Sequence, residues 1–392
     1  MMLLQFGAGN IGRGFMGHLF WEAGHDVLFV EKDYNLVRLI NERREYPLRL
    51  LDAYKKEVVE FVVRGVHAIS AEDKEAVATS FARAGWVGTA VGIENYSAVA
   101  SVLVEGIRKR KERGAPPVDV YLCENDLAAH TRMQQALEPY LDDHLKKWIG
   151  ENVGFVRVSV ARMVKGKEKE DQDPLLVVAD AYREFPYDAL ARKGVPPGLE
   201  SVKPVTHFEA EFRRKIYIYN LGHAVLAYLG YLRGYRYVHE GFGDGWVSAV
   251  FDGALKETTM ALFRKYPGIF DVAEHARVLH DVRTRFGNSL LKDPIFRVAR
   301  NPIRKLGPSD RLIGSALLCL EQGVFPEHIA TACAATFLYD WSEDSEACRL
   351  QDYIRTKRIE TVLQEVTTIE PQSSLGKKIV EEYHKLKTLR EG

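Results

Sequence analysis

The chain has 392 residues, of which 46% are hydrophobic and 28% charged, and its 54 basic residues balance 54 acidic ones. This composition is typical of a globular protein with a large core and excludes a disordered or fibrous chain. A formal net charge of zero provides no basic excess for nucleic-acid binding, so any anion-binding site must be local.

Cysteine usage and the N-terminal sequence indicate the cellular compartment. The cysteines are scattered along the chain without a C-x-x-C pair, which is typical of reduced thiols. The N-terminus passes from an apolar strand into a glycine turn without a signal sequence, and no apolar run reaches the roughly 18 residues of a membrane span. We therefore expect a cytoplasmic protein without membrane or nucleic-acid partners; its oligomeric state stays open.

Short β-rich runs alternate with amphipathic helical stretches in the first half of the chain. The predicted strands are 3–6, 26–31, 86–92, 118–125 and 153–160, and the predicted helices are 11–24, 34–43, 96–113 and 126–148. This alternation is typical of a parallel sheet with crossover helices. The charged run at 165–173 is predicted to be a solvated loop.

The Gly- and Pro-rich stretch KGVPPGLE at 193–200 marks the predicted domain boundary. Beyond residue 205 helical patterns dominate, at 208–233, 243–266, 269–286, 309–321, 325–340, 345–365 and 374–389. We predict an α/β domain over residues 1–195, followed by a mostly α-helical catalytic and substrate domain over residues 196–392.

The stretch FGAGNIGRGF (6–15) places three glycines between the first predicted strand and the first predicted helix. Gly7 permits a tight turn, Gly9 allows the backbone to approach a pyrophosphate, and Gly12 allows close packing of helix and strand. The helix start offers unpaired N–H groups to the phosphates. The residues expected to contact a dinucleotide are Gly7, Ala8, Gly9, Asn10, Ile11 and Gly12.

An acidic residue, Glu31, follows about 20 residues after the glycines, where dinucleotide-binding proteins carry a ribose-binding carboxylate. Such a carboxylate accepts hydrogen bonds from the ribose hydroxyls and repels a 2′-phosphate, which favours NAD over NADP. Lys32 beside it could tolerate that phosphate. The strand, glycine turn, helix and acid together predict that residues 1–195 form a Rossmann-type, doubly wound domain that binds NAD.

The stretch KIYIYNLGHAVLAYLG (215–230) carries three polar residues in an apolar helical pattern. At about 100° per residue, Asn220 lies roughly 140° and His223 roughly 80° from Lys215, on one side of the helix. A lysine whose pKa is lowered by burial and a nearby cation can act as a base in alcohol oxidation, while an amide and an imidazole hold the oxygen. No His/Cys/Glu cluster with metal-ligand spacing is evident. Alternatively, Lys215 reaches solvent and the other two are satisfied core groups.

Several motifs occur in the order found in the polyol-specific long-chain dehydrogenase/reductase family: FGAGNIGRGF, TAVG (89–92), CEN (123–125), K-x-x-x-x-N-x-x-H (215–223) and RNPIRKL…DRLI (300–313). The sequence resembles this family from residue 2 to about residue 340. The resemblance implies metal-independent hydride transfer between NAD and a sugar alcohol, with TAVG contributing Thr89, Ala90, Val91 and Gly92 to the cofactor site.

The resemblance also implies a role for each polar residue of the helix. Lys215 would be the base in oxidation and the acid in reduction, and His223 would bind the reacting oxygen. Asn220 and Asn125 would form an oxyanion-hole-like pair. From the sequence alone, Asn125 fits a helix cap equally well.

The segment RNPIRKLGPSDR carries four cations, which are Arg300, Arg304, Lys305 and Arg311. Family members that act on phosphorylated mannitol share this form, so the resemblance implies a phosphate-binding role, to which the planar fork of arginine is suited. The expected reaction converts D-mannitol 1-phosphate to D-fructose 6-phosphate reversibly. Otherwise, the segment is a solvated cationic helix end.

One departure from the family pattern leaves other functions open. Family members read V-D-R-I-V-P after the fifth predicted strand, whereas this chain has Ala161 at the aspartate position and then Arg162. The alternatives are a hexuronate reductase of the tagaturonate or fructuronate type, a free-polyol dehydrogenase, and a non-catalytic dinucleotide-binding sensor.

Overall fold

The computed structural model describes residues 1–165 and 173–391. The chain divides into two compact units, one consisting of Met1–Asp52 with Glu57–Glu211 and the other of Ala53–Lys56 with Phe212–Gly392. Each unit has its own secondary-structure class, which follows from the change in sequence pattern near residue 205.

Two sequence predictions concern the segments around this division. The predicted boundary after residue 195 stays a prediction, and the first unit ends at Glu211. The segment KGVPPGLE lies within the first unit, where the carboxylate of Asp119 accepts hydrogen bonds from the backbone N–H groups of Lys193 (2.7 Å) and Gly194 (2.9 Å). Of the charged run expected to be a solvated loop, residues 166–172 lie outside the described residues.

The strands found within residues 1–165 and 173–391 all lie in the first unit. In chain order these are β1 (Met2–Phe6), β2 (Asp26–Glu31), β3 (Glu45–Asp52), β4 (Glu57–Arg64), β5 (His67–Ser70), β6 (Trp86–Thr89), β7 (Val118–Leu122), β8 (Val153–Arg157), β9 (Val177–Asp180), β10 (Phe185–Asp188) and β11 (Val202–Val205). Its helices are α1 (His18–Glu22), which continues the π-helical turn Gly12–Gly17, and α2 (Tyr34–Arg43), α3 (Lys74–Arg83), α4 (Tyr96–Glu112), α5 (Ala129–Leu137) and α6 (Asp143–Asn152).

Six of the strands form a parallel sheet in the order β5-β2-β1-β6-β7-β8. This is the strand order of doubly wound dinucleotide-binding folds, in which ligands bind where the order reverses. Here the reversal lies between β1 and β6, and Gly7 and Ala90 follow the ends of these two strands. Gly7 donates a backbone hydrogen bond to Val30 (2.8 Å), and Ala90 donates one to Phe6 (2.9 Å).

Both faces of this sheet are buried, because the side chains of each strand alternate between two hydrophobic clusters. Leu3 packs on one face with Phe15 and Phe20, whereas Leu4 packs on the other face with Phe81 and Leu103. The helix α1 covers the first face, and α3 and α4 cover the second. The core therefore fixes the glycine turn at the end of β1.

The sequence prediction missed part of this unit. The antiparallel pair β3–β4, with β9 parallel to β3, forms a separate sheet that was not predicted. In β3 the buried Tyr46, Leu48 and Leu50 alternate with less buried residues, whereas β4 (EVVEFVVR) shows no regular alternation. The helix expected over 126–148 is divided into α5 and α6, because Pro139 in the turn between them cannot continue a helix.

The second unit is built from helices. From the junction onward these are α7 (Phe208–Arg214), α8 (Leu221–Leu232), α9 (Gly245–Lys265), α10 (Val272–Phe286), α11 (Ile295–Ala299), α12 (Pro302–Lys305), α13 (Ile313–Glu321), α14 (Glu327–Phe337), α15 (Ser345–Thr356), α16 (Ile359–Thr367) and α17 (Ser374–Glu391).

Helix α8 is the centre of the second unit. It is apolar on nearly all sides, which is typical of a fully buried helix, and it packs against α9, α11 and α14. The predicted fold class, a Rossmann-type α/β domain followed by a mostly α-helical one, is confirmed. Within residues 1–165 and 173–391, no helix is long and apolar enough to cross a membrane.

The glycine turn gives a test of this packing. A Cβ atom on Gly12 would overlap the carbonyl oxygen of Gly7, whereas a Cβ atom on Gly9 would have no neighbour within 4 Å. We expect Gly12→Ala to destabilise the protein by about 1–3 kcal/mol or more, because the backbone must move. Gly9→Ala, its matched control, should change stability by less than about 0.5 kcal/mol. Thermal and urea unfolding measure both changes; equal losses would contradict this packing.

Candidate functional site

The polar residues of the apolar helical stretch lie where the helix changes its geometry. Lys215–Asn220 form a π-helical turn between α7 and α8. The 100° per residue of an α-helix therefore does not hold across this turn. Such turns are rare and occur frequently at functional sites.

Lys215 is buried, with 8% of its surface exposed. Burial and the neighbouring Arg311 lower the pKa of its ammonium group from 10.5 to about 7. Arg304 acts in the same direction, and Asp310 opposes both. A lysine with this pKa can accept and return a proton near neutral pH.

The π-helical turn is held by a hydrogen-bond network centred on Asp281 of α10. The hydroxyl of Tyr219 donates to Oδ2 of Asp281 (3.0 Å), and Arg285 pairs with the same oxygen (3.1 Å). Tyr54, from the short segment that belongs to this unit, donates to Oδ1 (2.8 Å). Because Tyr219 precedes Asn220, the network restricts the turn that carries both Lys215 and Asn220.

His223 lies on α8, after the π-helical turn. Its Nε2 atom is 3.0 Å from Oδ2 of Asp293, and its ring stacks on Phe286 with centroids 4.5 Å apart. Burial lowers the pKa of His223, although Asp293 opposes this effect. Burial alone would raise the pKa of Asp293, but Arg297 and His223 outweigh it and bring that pKa to about 2.

The four cations expected to bind phosphate have different surroundings. Arg304 and Arg311 both pair with Asp310, at 3.3 and 2.8 Å. Lys305 is buried and its ammonium group donates to the carbonyl oxygen of Arg300; burial and nearby arginines lower its pKa well below the ordinary value. Arg304 and Arg300 are exposed.

These contacts bring part of the predicted site together. Arg304, Arg311 and Asp310 lie close enough to Lys215 to act on its charge, and Arg311 also acts on His223. Arg304 and Arg311 thus share the single carboxylate of Asp310, which leaves a local positive excess suited to an anion. Lys305 is directed to the backbone instead. The roles of all these residues stay predictions.

The glycine turn of the first unit has the geometry that a dinucleotide requires. Gly7 has a φ of +87°, in the left-handed region that favours glycine. The space next to Gly9 is open, so a pyrophosphate could approach the backbone there. The carboxylate of Glu31 accepts a hydrogen bond from the N–H of Ala8 (2.8 Å) and others from the N–H groups of Lys32 and Asp33. Glu31 therefore also stabilises the turn.

A buried carboxylate that was not predicted as a site residue organises the TAVG segment. Glu124, within the CEN motif after β7, accepts hydrogen bonds from the hydroxyls of Thr89 (2.8 Å) and Tyr96 (2.6 Å). It also accepts one from the N–H of Val91 (3.1 Å). Burial and Glu124 together raise the pKa of Tyr96. Glu124 thus fixes the segment that follows β6.

Two further positions that the sequence analysis named lie in the first unit: Asn125, predicted as a site residue, and Arg162, which follows the departure at Ala161. Asn125 is exposed after β7, and the side chain that accepts from the following turn is Asp126, whose Oδ1 is 2.7 Å from the N–H of Ala128. Arg162, beside Ala161, is buried and donates to the carbonyl oxygen of Gly14 (2.6 Å). Arg162 therefore supports the helical turn after the glycine motif.

Comparisons with known proteins agree over the full length of the chain. Mannitol-1-phosphate 5-dehydrogenase of Brevibacillus brevis is 35% identical over 99% of this chain and 98% of its own length. The protein of the same name from Caldanaerobacter subterraneus subsp. tengcongensis is 34% identical over 98% of each chain.

Solved structures show the same fold at lower identity. D-sorbitol dehydrogenase has a TM-score of 0.78 at 17% identity, and the alignment covers 99% of this chain and 93% of that one. Mannitol 2-dehydrogenase of Pseudomonas fluorescens, solved with NAD and D-mannitol, has a TM-score of 0.79 at 16% identity, over 100% and 92%. Residues 1–201 match the family model of the mannitol dehydrogenase Rossmann domain, and residues 205–387 match that of the mannitol dehydrogenase C-terminal domain. The chain belongs to the mannitol dehydrogenase family.

Proposed function

We propose that the protein interconverts D-mannitol 1-phosphate and D-fructose 6-phosphate, with NAD as the hydride carrier. The observation that carries this proposal is Lys215, a buried lysine with a pKa of about 7 beside Arg304 and Arg311. The relatives named mannitol-1-phosphate 5-dehydrogenase support the substrate, since they match along the whole chain. The phosphorylated sugar is the small-molecule partner, and we propose that the reaction takes place in the cytoplasm.

In the oxidation direction, the neutral Nζ of Lys215 accepts the proton of the substrate hydroxyl. In the reduction direction, its ammonium group returns that proton to the oxygen. Asn220, in the same π-helical turn, donates an amide hydrogen bond to the oxygen as negative charge develops on it. His223 also binds the substrate. The burial of Lys215 holds its pKa at about 7, so both its neutral and its ammonium forms are available near neutral pH.

The glycine turn and the residues around it fit NAD. The N–H groups at the helix start after Gly9 would hold the pyrophosphate. The Glu31 carboxylate already accepts three backbone hydrogen bonds, so about one lone-pair site, on Oε2, remains for a ribose hydroxyl. The segment from Thr89 to Gly92, fixed by Glu124, borders the point where the strand order reverses. When bound, NAD would supply the hydride acceptor for oxidation of the alcohol carbon, and NADH the hydride donor for reduction.

We place the substrate phosphate on Arg304 and Arg311, with Arg300 as a further candidate. The two arginines flank Asp310 near Lys215, so a phosphate there would lie beside the proton-transfer group. Lys305 supports this segment through its hydrogen bond to the carbonyl of Arg300. A phosphate dianion would offset the positive excess of the cluster.

Removal of Lys215 tests the chemistry. We expect Lys215→Ala to lower kcat for fructose 6-phosphate reduction by about 10²–10⁴-fold, because general acid–base catalysis is lost. In the wild type, kcat/KM for oxidation should rise with pH through about 7 as the amine becomes neutral. For reduction it should fall over the same range, since the ammonium form is needed.

Steady-state kinetics with NADH and NAD between pH 5.5 and 9 measure both effects. A wild type that binds NAD without turnover would support a sensor instead. Full activity in Lys215→Ala would refute the proton-transfer role.

The lowered pKa of Lys215 also predicts a stability effect. The unfolded chain keeps this lysine protonated up to 10.5, whereas the folded chain releases the proton near 7. The folded state is therefore penalised in full below pH 7, and the penalty vanishes as pH rises toward 10.5. We expect Lys215→Met, similar in length, to increase stability by at least about 1 kcal/mol at pH 6 and by little at pH 10. Urea unfolding at both pH values measures this; an equal gain at both would contradict burial as the cause.

Arg304 tests the phosphate site. We expect Arg304→Ala to raise KM for fructose 6-phosphate by roughly 10- to 100-fold, as expected for loss of one charge-assisted hydrogen bond. Reduction of free fructose should change little. Arg355→Ala is the matched control, since Arg355 is also exposed and paired with an aspartate, Asp352, in α15. Initial rates with fructose 6-phosphate, fructose and tagaturonate measure the preference for the phosphorylated sugar. If Arg304→Ala kept the wild-type preference, Arg304 would not bind the substrate phosphate.

A further inference from the structure

Two buried neighbours of His223, a carboxylate and an aromatic ring, fix the orientation of its imidazole. Its Nε2 atom lies 3.0 Å from a carboxylate oxygen of Asp293, which is 4% exposed. The ring of Phe286 stacks on the imidazole at an interplanar angle of 16°. One contact fixes the direction of Nε2, and the other fixes the plane of the ring.

Asp293 is itself held rigidly. Arg297, one turn further along, donates from Nε to Oδ1 (2.6 Å) and from Nη2 to Oδ2 (2.5 Å). The backbone carbonyl of Asp293 also accepts from the N–H of Val238 (3.0 Å). A bidentate arginine pair of this kind keeps the carboxylate ionised and oriented. Oδ2 thus faces both Arg297 and His223 as an acceptor.

An ionised carboxylate only accepts hydrogen bonds, so Nε2 of His223 must be the nitrogen that carries a proton. The charged groups that act on this ring are Asp293, Arg297 and Arg311, and burial outweighs the carboxylate in lowering its pKa. The imidazole is therefore neutral near pH 7. Since a neutral imidazole has a single N–H, Nδ1 is an acceptor.

We propose that Asp293 is a positioning residue that holds His223 as the Nε2–H tautomer, so that Nδ1 accepts a hydrogen bond from a hydroxyl of the substrate. This assignment rests on the proposed dehydrogenase function. Because Lys215 takes the proton of the reacting hydroxyl, the hydroxyl that donates to Nδ1 is on a neighbouring carbon. This assignment differs from the role that the family resemblance implies, in which His223 binds the reacting oxygen itself. His223 then selects for a polyol with a hydroxyl next to the reacting carbon, and it acts as an acceptor where Asn220 acts as a donor.

The tautomer can be measured without turnover. In ¹⁵N-histidine-labelled protein, the His223 signals, identified by their loss in His223→Gln, should show a protonated Nε2 and an unprotonated Nδ1. In Asp293→Asn this preference should be lost or reversed. The matched control is Asp244→Asn, since Asp244 is a buried carboxylate paired with Arg233 (2.6 Å) in the same unit. It should keep the wild-type signals. A protonated Nδ1 in the wild type would overturn the proposal.

Kinetics then separate positioning from a purely structural effect. We expect Asp293→Asn to lower kcat for fructose 6-phosphate by roughly 10- to 100-fold, as for carboxylates that orient metal-bound histidines, and Asp244→Asn to stay within about twofold. One of the two substrates 1-deoxy- and 3-deoxyfructose 6-phosphate lacks the hydroxyl that binds His223. With that substrate, the kcat values of the wild type and of Asp293→Asn should differ by less than about threefold.

An equal loss on fructose 6-phosphate and on both deoxy substrates would overturn the proposal, because a structural defect would affect all of them alike. Absence of fructose 6-phosphate reduction in the wild type would refute the proposed function instead. In that case the tautomer measurement still decides whether Asp293 orients His223.

Discussion

The burial of Lys215 in an apolar helical stretch is the constraint on which the candidate site of the second unit depends. Placing an ammonium group in such surroundings is costly, and the two nearby arginines increase the cost. The cost is offset by the burial of helix α8, which is apolar on nearly all sides, and by the network around Asp281, which holds the π-helical turn through Tyr219. The π-helical turn beside α8, which would otherwise only contribute to the core, therefore carries a lysine that can accept or release a proton near neutral pH.

The fold and the central motifs could be predicted from the sequence because their signals are local. A glycine turn between a strand and a helix has requirements that a few adjacent residues reveal, and Gly7 indeed has the positive φ that this turn needs. The change from alternating strands to continuous helical patterns near residue 205 likewise shows the class of each unit. Spacing also placed Lys215 and His223 on one helical segment, although the π-helical turn changes the angles between them.

The supporting residues could not be predicted, because their contacts join distant parts of the chain. Asp293 meets His223 across 70 residues, and Glu124 meets Thr89 across 35. Neither pairing leaves a periodic pattern. The cationic segment shows the same limit: its four cations looked equivalent in sequence, yet Lys305 is directed to a backbone carbonyl while Arg304 and Arg311 share Asp310. Asp310 was not predicted as a site residue; its carboxylate within a cationic stretch is a signal that could have indicated it.

The charges around Lys215 link substrate binding to protonation. Arg311 and Arg304 lower the pKa of this lysine, and Asp310 offsets only part of their effect. If a phosphate dianion binds these two arginines, it neutralises the cations that disfavour the ammonium form, so the pKa of Lys215 rises in the complex. By linkage, the protonated lysine in turn favours binding of the phosphate. In the proposed reaction, the bound sugar phosphate would thereby promote the protonated state of Lys215 that reduction requires, and the arginines proposed to hold the phosphate would also set the pKa of the acid beside it.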